Sequence, residues 1–235
     1  MTNNVIHIPR MVEAREFYAD RVDAALKNLE SEDHEPVYMP EVIDARIAAS
    51  KEARIWQPWL TAPSIKATGR TKQGNPVVVY AHIPNYFSKA DNITTAINQG
   101  LVNYAGRIHK EEFQRLLDSE DKDRVFVVDY DTLRNSTSGV IEVKDALKHP
   151  QTIPFLAGEE RAVKYLERHK EVYGDRIGNW YSDDLRDEPL ACVLCVDGGL
   201  DGDGDLGGSA RFLGVRAEGA KIGEATQKIL QMQSN

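Results

Sequence analysis

The sequence predicts an α/β fold, in which helices flank a mixed, mostly parallel sheet of four to five strands and an N-terminal helical arm packs beside it. Three short apolar runs rich in β-branched residues, at 76–83, 124–130 and 190–196, are typical of strands buried on both faces. Apolar residues at helical spacing occupy the intervals between these runs. This alternation of strand and helix indicates right-handed crossovers, and therefore parallel neighbours.

The N-terminal quarter of the chain predicts two helices. Apolar residues recur at helical spacing over 12–29, and Pro40 precedes a second helix over 41–54. About sixty residues are too few for a strong core of their own. We therefore expect residues 1–60 to pack as a helical arm on a sheet-containing core of residues 61–235, within a single domain.

The remaining elements follow along the chain. Helices are expected over 89–117 and 158–173, between the strands. A fourth strand at 210–217 is expected to pair with the third apolar run as an antiparallel hairpin. The glycine-rich segment 197–208 is then the mobile tip of that hairpin, because glycine loses the most conformational entropy on ordering. A helix over 219–232 closes the predicted fold.

Composition excludes several classes of function. The chain of 235 residues carries 29 Lys and Arg against 37 Asp and Glu, a net charge of −8, whereas nucleic-acid binding relies on clustered basic residues. No apolar run approaches the ~20 residues that span a bilayer. Two cysteines are too few for a disulfide scaffold, and no signal-peptide pattern opens the sequence. We therefore expect a cytoplasmic protein without nucleic-acid or membrane partners.

Polar side chains at the ends of the predicted strands supply a candidate catalytic site. His82 follows the first strand, Asp129 and Asp131 follow the second, and Asp197 follows the third. The carboxyl ends of parallel strands form the usual ligand crevice of open α/β sheets. Clustered carboxylates there share protons or bind Mg²⁺ or Mn²⁺. The competing interpretation is that aspartates merely end strands and begin turns.

The segment 127–133 contains an apolar strand followed by Asp-x-Asp. It resembles, over about seven residues, the opening motif of haloacid-dehalogenase-like phosphotransferases. Thr132 directly follows the second aspartate, whereas that family places one residue between them, so the family is not adopted. The weaker inference is kept that Asp129 and Asp131 bind a divalent metal, with Asp197 as a third ligand or general base. Ser136 and Ser138 would contact an anionic group of a small substrate.

An alternative cation site lies in the glycine-rich segment. Asp201, Asp203 and Asp205 have the acidic spacing of a calcium loop, although the glycine and glutamate of an EF-hand are absent from their required positions. If the segment is ordered, its carboxylates need a counter-charge, which Arg211, Arg216 or a bound cation such as Ca²⁺ could supply.

Two classes of function follow. The first is a metal-assisted hydrolase or phosphoryl-transfer enzyme, in which His82 acts as acid, base or ligand beside the aspartates. The second is a non-catalytic protein that binds a partner or associates with itself, as a homo-oligomer, through its N-terminal helices and the segment around Trp56 and Trp59. Tryptophan is enriched among the residues that anchor interfaces.

Overall fold

A long central strand organises the fold in the computed structural model, which describes residues 5–6, 14–182 and 184–216. Twelve strands of the described chain form one mixed sheet. They are β1 (Val5–Ile6), β2 (Ala14–Ala19), β3 (His34–Pro36), β4 (Leu60–Arg70), β5 (Pro76–Ala81), β6 (Gly106–Arg107), β7 (Val125–Asp129), β8 (Gly139–Glu142), β9 (Arg176–Trp180), β10 (Leu190–Val196), β11 (Gly199–Gly204) and β12 (Ala210–Arg216).

Helices cover both faces of this sheet. They are α1 (Val22–Ser31), α2 (Met39–Ala48), α3 (Ala90–Asn98), α4 (Lys110–Leu117), α5 (Tyr130–Arg134), α6 (Val143–Ala146), α7 (Thr152–Phe155) and α8 (Glu159–Tyr173). The helix predicted over 158–173 is confirmed by α8. No helix in the described ranges is long and apolar enough to cross a membrane.

The prediction of an α/β fold with a mostly parallel sheet of four to five strands is wrong. The strand β4 lies between β5 and β10 and pairs antiparallel with both, and β5 pairs antiparallel with β7. Parallel pairing occurs between β9 and β11, and at a single bridge between β12 and β4. The apolar runs did identify strands, but a continuous apolar run reports burial on both faces and not strand direction.

The N-terminal segment belongs to the sheet. Residues 14–19, predicted as part of a helix over 12–29, form β2, which pairs along β12. The strand buries Phe17 against Phe212 on one face, and the helix begins only at Val22. The buried positions of this short strand, Ala14 and Phe17, are three residues apart, a spacing that is easily mistaken for a helix when a true helix follows directly.

The helix predicted over 89–117 is broken into α3 and α4. Gly100 has a φ of 85°, and Asn103 and Tyr104 have φ of 45° and 70°, so the intervening chain turns through left-handed conformations. Further along, β12 confirms a strand at 210–216, although its neighbours are β2, β3 and β4 and not the third apolar run. The helix predicted over 219–232 lies outside the described residues.

The predicted mobile tip is an internal strand. Within β11 the side chains of Asp201 and Asp203 are half-exposed, whereas Gly202 and Gly204 face inward and are buried. A Cβ atom on Gly202 would lie 2.6 Å from the Gln151 side chain, and one on Gly204 would lie 2.6 Å from the Val193 carbonyl oxygen. The glycines therefore allow close backbone packing, which is a role that composition does not distinguish from flexibility.

A fully buried arginine ties the helical layer to the sheet. The Arg46 guanidinium donates hydrogen bonds to the carbonyl oxygens of Asp197 (2.7 Å), Val196 (3.2 Å) and Pro58 (3.0 Å), and its Nε donates to that of Ile55 (3.2 Å). The guanidinium also lies 5.3 Å from the Trp56 ring centroid. One side chain thus joins α2, the connector before β4 and the end of β10.

We predict that Gly204→Ala destabilises the protein by about 1–3 kcal/mol, because the new methyl group overlaps a backbone carbonyl that cannot move independently of β10. The matched control is Gly198→Ala, whose Cβ would meet only Tyr173 at 3.8 Å. Urea denaturation of both variants measures the difference, and equal stabilities would contradict close packing of β11.

We predict that Arg46→Met lowers the free energy of unfolding by about 3–5 kcal/mol, because buried carbonyl oxygens lose their donors. For a chain of this size, the melting temperature falls by roughly 10 °C. The control Arg186→Met removes an exposed arginine and changes stability by less than about 0.5 kcal/mol. A similar small effect for both variants, measured by thermal melting, would contradict the role of Arg46.

Candidate binding face

The antiparallel pairing of β5 and β7 separates the residues predicted to act together. Ala81 lies opposite Val125, and Val77 lies opposite Asp129. His82 and Asp129 therefore follow opposite ends of the strand pair. His82 is fully buried and its Nε2 donates to the Pro154 carbonyl oxygen at 2.8 Å. Burial lowers the pKa of His82 to about 4, so the ring is neutral.

The predicted metal ligands have separate local roles. The Asp129 carboxylate accepts hydrogen bonds from the Thr132 backbone N–H (2.8 Å) and hydroxyl (2.9 Å), which begin α5 and lower the pKa of Asp129. Asp131 is exposed in the first turn of the same helix. The Asp197 carboxylate accepts from the Gly199 N–H at 2.7 Å and closes the turn between β10 and β11.

A serine and a histidine do come together, in a buried network. The Ser136 hydroxyl lies 3.3 Å from His149 Nε2 and 2.8 Å from the Tyr181 hydroxyl. The Gln151 backbone N–H donates to His149 Nδ1 at 3.2 Å, so the histidine proton is on Nε2. An Nε2 that already carries a proton cannot deprotonate Ser136. Ser138 is exposed, and its hydroxyl accepts a long hydrogen bond from the Tyr181 N–H.

The aspartates of the glycine-rich segment do not form a calcium loop. Asp201 and Asp203 lie on one side of β11, where the Asp203 N–H donates to the Asp201 carboxylate at 3.0 Å. Asp205 accepts from the Gly207 N–H at 2.7 Å. Among the described residues, no group of three or more His, Cys, Asp or Glu side chains could hold a metal ion. Within this part of the chain the predicted carboxylates are therefore not brought together as one group.

The proximity of Asp201 and Asp203 changes their ionisation. Burial, followed by the hydrogen bond and repulsion from Asp203, raises the pKa of Asp201 to about 8. At neutral pH the two carboxyl groups therefore share a proton. Arg211, which the sequence offered as a counter-charge, pairs instead with Glu16 at 3.0 Å.

A row of cross-strand neighbours crosses four strands of the sheet. Thr61 lies opposite Cys195, which lies opposite Asp201, and Asp201 lies opposite Trp180. On β12 the partner of Thr61 is Phe212, so the side chains of the neighbouring Arg211 and of its partner Tyr18 lie on the other face of the sheet. Three strand spacings give the row a length of about 14 Å. We call the row the binding face, and its members are Thr61, Cys195, Asp201 and Trp180.

Exposed aromatic side chains lie on both faces of this part of the sheet. Trp180, at one end of the binding face, is 45% exposed, whereas Thr61 at the other end is buried. Tyr18, on the other face, is 49% exposed, and the Arg211 guanidinium lies 5.1 Å from its ring centroid and 5.4 Å from that of Trp59.

The arginine beside Tyr18 is held in place by a buried carboxylate. The Glu16 carboxylate is buried and pairs with both Arg54 (3.1 Å) and Arg211 (3.0 Å). Tyr18, Trp59 and Arg211 therefore form an ordered cluster on the face of the sheet opposite Trp180.

Sequence reasoning found part of this face. Asp201 was named as a candidate in the glycine-rich segment, and Trp180 was missed because β9 was not predicted. Of the two tryptophans named for the binding hypothesis, Trp59 lies against Arg211 on the other face of the sheet, and Trp56 is buried against Tyr165 as a core residue.

A largely antiparallel mixed sheet that exposes aromatic side chains such as Trp180 from its strands can serve as a binding scaffold. No family model and no curated protein matches the chain. The chain is similar to a solved structure described as the accommodation of massive sequence variation in Nanoarchaeota by the C-type lectin fold. The two chains are 53% identical, the match covers 89% of this chain and 100% of that one, and the TM-score is 0.84.

The chain therefore belongs to the C-type lectin fold family. This membership corrects the predicted α/β hydrolase, because the fold is one of binding proteins and not of parallel-sheet enzymes. It favours the second hypothesis from the sequence, that of a non-catalytic binding protein.

We predict that Asp201→Asn flattens the pH dependence of stability. The pKa of Asp201 is about 8 in the folded chain, above the ordinary value of 3.8, so folding takes up a proton between these values and stability falls as pH rises through this window. The variant should gain on the order of 1 kcal/mol over wild type at pH 8 and little at pH 4. Melting temperatures from pH 4 to pH 9 test this, with Glu120→Gln as an exposed control. Parallel profiles for wild type and Asp201→Asn would contradict the shared proton.

Proposed function

We propose that this protein is a non-catalytic binding protein that contacts its ligand through the binding face. The similarity to a C-type lectin fold structure carries the proposal, because it extends over nearly the whole chain at 53% identity. The exposed indole of Trp180 supports it, since aromatic side chains contribute large contact areas at a small entropic cost.

The proposal also accounts for residues that an enzyme would use differently. His82 is neutral and enclosed, Ser136 lies beside a histidine that already carries its proton, and Asp129 starts a helix. Each group satisfies a local structural need. Because the proposed binding face consists of strand residues, these groups are available for structural roles.

Carbohydrates and proteins are the two ligand classes that we propose to test. C-type lectin folds commonly bind carbohydrates, and many bind Ca²⁺, so a divalent cation is kept as part of the proposal without an assigned set of ligands. The related structure is described as accommodating massive sequence variation. We propose that this chain likewise tolerates substitution at outward positions such as Tyr18 and Trp180, because their side chains contribute little to the core.

The experiment is a binding screen with matched variants. Wild type, Trp180→Ala and the control Val163→Ala are applied to glycan and protein arrays, with and without Ca²⁺. Val163 is 37% exposed on α8 and lies outside the binding face. We expect ligands that wild type and Val163→Ala retain and that Trp180→Ala loses at least fivefold, which corresponds to about 1 kcal/mol.

A phosphoester screen with Mg²⁺ and Mn²⁺ runs in parallel. Turnover by wild type that Asp129→Asn or His82→Gln removes, without loss of folding, would contradict a non-catalytic function. Array ligands that bind Trp180→Ala as well as wild type would place binding outside this face.

A further inference from the structure

The strand β7 forms an open edge of the sheet. It pairs with β5 on one side, and no strand of the described chain pairs with its other side. The pairing with β5 continues over the whole strand without a register shift. Residues 125–128 are Val-Phe-Val-Val, without the charge, proline or bulge that usually protects an exposed strand edge. A regular apolar edge of this kind is suited to pairing with another strand.

The two faces of β7 rest on the core, so its open side is the edge. Val125 is buried in one hydrophobic cluster, and Phe126 and Val128 pack against the other. Val127, at the centre of the strand, lies in neither cluster, and its side chain is 49% exposed. Contact with a partner strand would therefore remove apolar surface from water at the middle of the edge.

The hydrogen-bond pattern shows which backbone groups of β7 point outward. The His82 N–H donates to the Arg124 carbonyl oxygen at 2.9 Å, so the ladder between β5 and β7 is hydrogen-bonded at this position. Along an antiparallel ladder, every second residue is bonded to the neighbouring strand. The odd-numbered residues of β7, which are Val125, Val127 and Asp129, therefore direct their N–H and C=O groups away from the sheet.

Two of these outward groups are already occupied. The Val125 N–H donates to the Asp121 carbonyl oxygen at 2.9 Å. The Asp129 carbonyl oxygen belongs to the N-cap residue of α5, and therefore accepts the first hydrogen bond of that helix. Within the described ranges, the N–H groups of Val127 and Asp129 and the C=O groups of Val125 and Val127 have no protein partner. The edge thus offers two donors and two acceptors.

A second copy of the strand presents the same groups in complementary positions. With a two-fold axis beside Val127, this residue lies opposite the partner's Val127, and Asp129 lies opposite the partner's Val125. Each Val127 N–H then donates to the partner's Val127 carbonyl oxygen, and each Asp129 N–H donates to the partner's Val125 carbonyl oxygen. This register gives a partner to all four open groups of each copy, and the groups left over are the two already occupied.

The side chains agree with the same register. The exposed Val127 meets the partner's Val127 on one side of the ladder, and Phe126 meets the partner's Val128 on the other. Asp129 lies opposite an apolar residue, so no two like charges are directly opposed across the axis.

The edge formed by β8 is less suited to strand pairing. It has four residues, begins at Gly139 with a φ of 143°, and ends at the exposed Glu142. A positive φ interrupts the extended ladder, and an exposed charge is a usual protection of a strand edge. Val140 on β8 is nevertheless 48% exposed, which makes it a matched control for Val127.

We propose that β7 pairs with β7 of a second copy of this chain, in an antiparallel two-fold dimer centred on Val127. The binding face includes no residue of β7, so this dimer does not depend on the binding function proposed above. One strand pair buries less than the ~1,600 Å² of a standard interface, and the dimer is therefore expected to dissociate on dilution. Two joined copies would bind a ligand with repeated sites with higher avidity than one.

The first test is sedimentation velocity between roughly 5 and 500 μM protein. Wild type is expected to change from monomer to dimer over this range. Val127→Lys places two ammonium groups opposite each other and should weaken the dimer at least tenfold. Val140→Lys makes the same change at a valine of nearly equal exposure on β8, and should dimerise like wild type. Melting temperatures at low concentration show whether either variant disturbs the fold.

The second test is a disulfide across the axis. Opposite residues of a hydrogen-bonded antiparallel pair have Cα atoms about 5.5 Å apart, which is within disulfide range. With oxidised glutathione, Val127→Cys should form a covalent dimer, as the two thiols lose two protons and two electrons and the oxidant becomes two molecules of glutathione. Val140→Cys and wild type, whose Cys192 and Cys195 are native free thiols, should stay monomeric on non-reducing gels.

Wild type that is monomeric at every concentration would overturn the proposal. It would equally be overturned if Val127→Lys dimerises like wild type, if Val140→Lys abolishes the dimer, or if Val140→Cys cross-links as fast as Val127→Cys. If Val127→Lys also lowers the melting temperature, the disulfide decides, and failure of Val127→Cys to form a covalent dimer then counts against the interface. The array screen is read separately, because loss of ligand binding in Trp180→Ala does not require a dimer.

Discussion

The buried guanidinium of Arg46 is the interaction on which the rest of the architecture depends. A charged group with no access to water requires hydrogen-bond acceptors in fixed positions, and here backbone carbonyl oxygens of two separate segments provide them. The end of β10 is thereby fixed against α2 and the connector that enters β4. The turn at Asp197 then directs the chain back as β11, so the position of the aspartates follows from a contact made on the opposite side of the sheet.

Close packing of glycine gives β11 its two different sides. Gly202 and Gly204 let the backbone approach Gln151 and Val193 more closely than any side chain would permit. Because these inward positions are glycines, the polar side chains of the strand lie on its outward side. Burial, together with the hydrogen bond to and repulsion from the Asp203 carboxylate, raises the pKa of Asp201 and lowers the stability of the free protein at neutral pH.

Much of the secondary structure could be predicted, and little of the candidate site. The runs at 76–83, 124–130 and 190–196 are strands because β-branched residues suit a buried, pleated surface, and α8 follows from its amphipathic spacing. The direction in which strands pair leaves no local pattern in sequence. His82 and Asp129 therefore lie at opposite ends of two adjacent strands, although each does follow a strand as predicted.

The sequence by itself determined which segments are buried, the acidic net charge and the alternation of aspartate with glycine over 201–205, because these are properties of composition and short-range spacing. The tertiary structure alone decided that β2 pairs with β12, that Asp201 and Asp203 lie in a strand and not a loop, and that Thr61, Cys195, Asp201 and Trp180 form one row across four strands. The physical reason is that hydrogen-bonded pairing joins residues nearly two hundred positions apart. The free energy of such contacts depends on the whole sheet and not on any local segment.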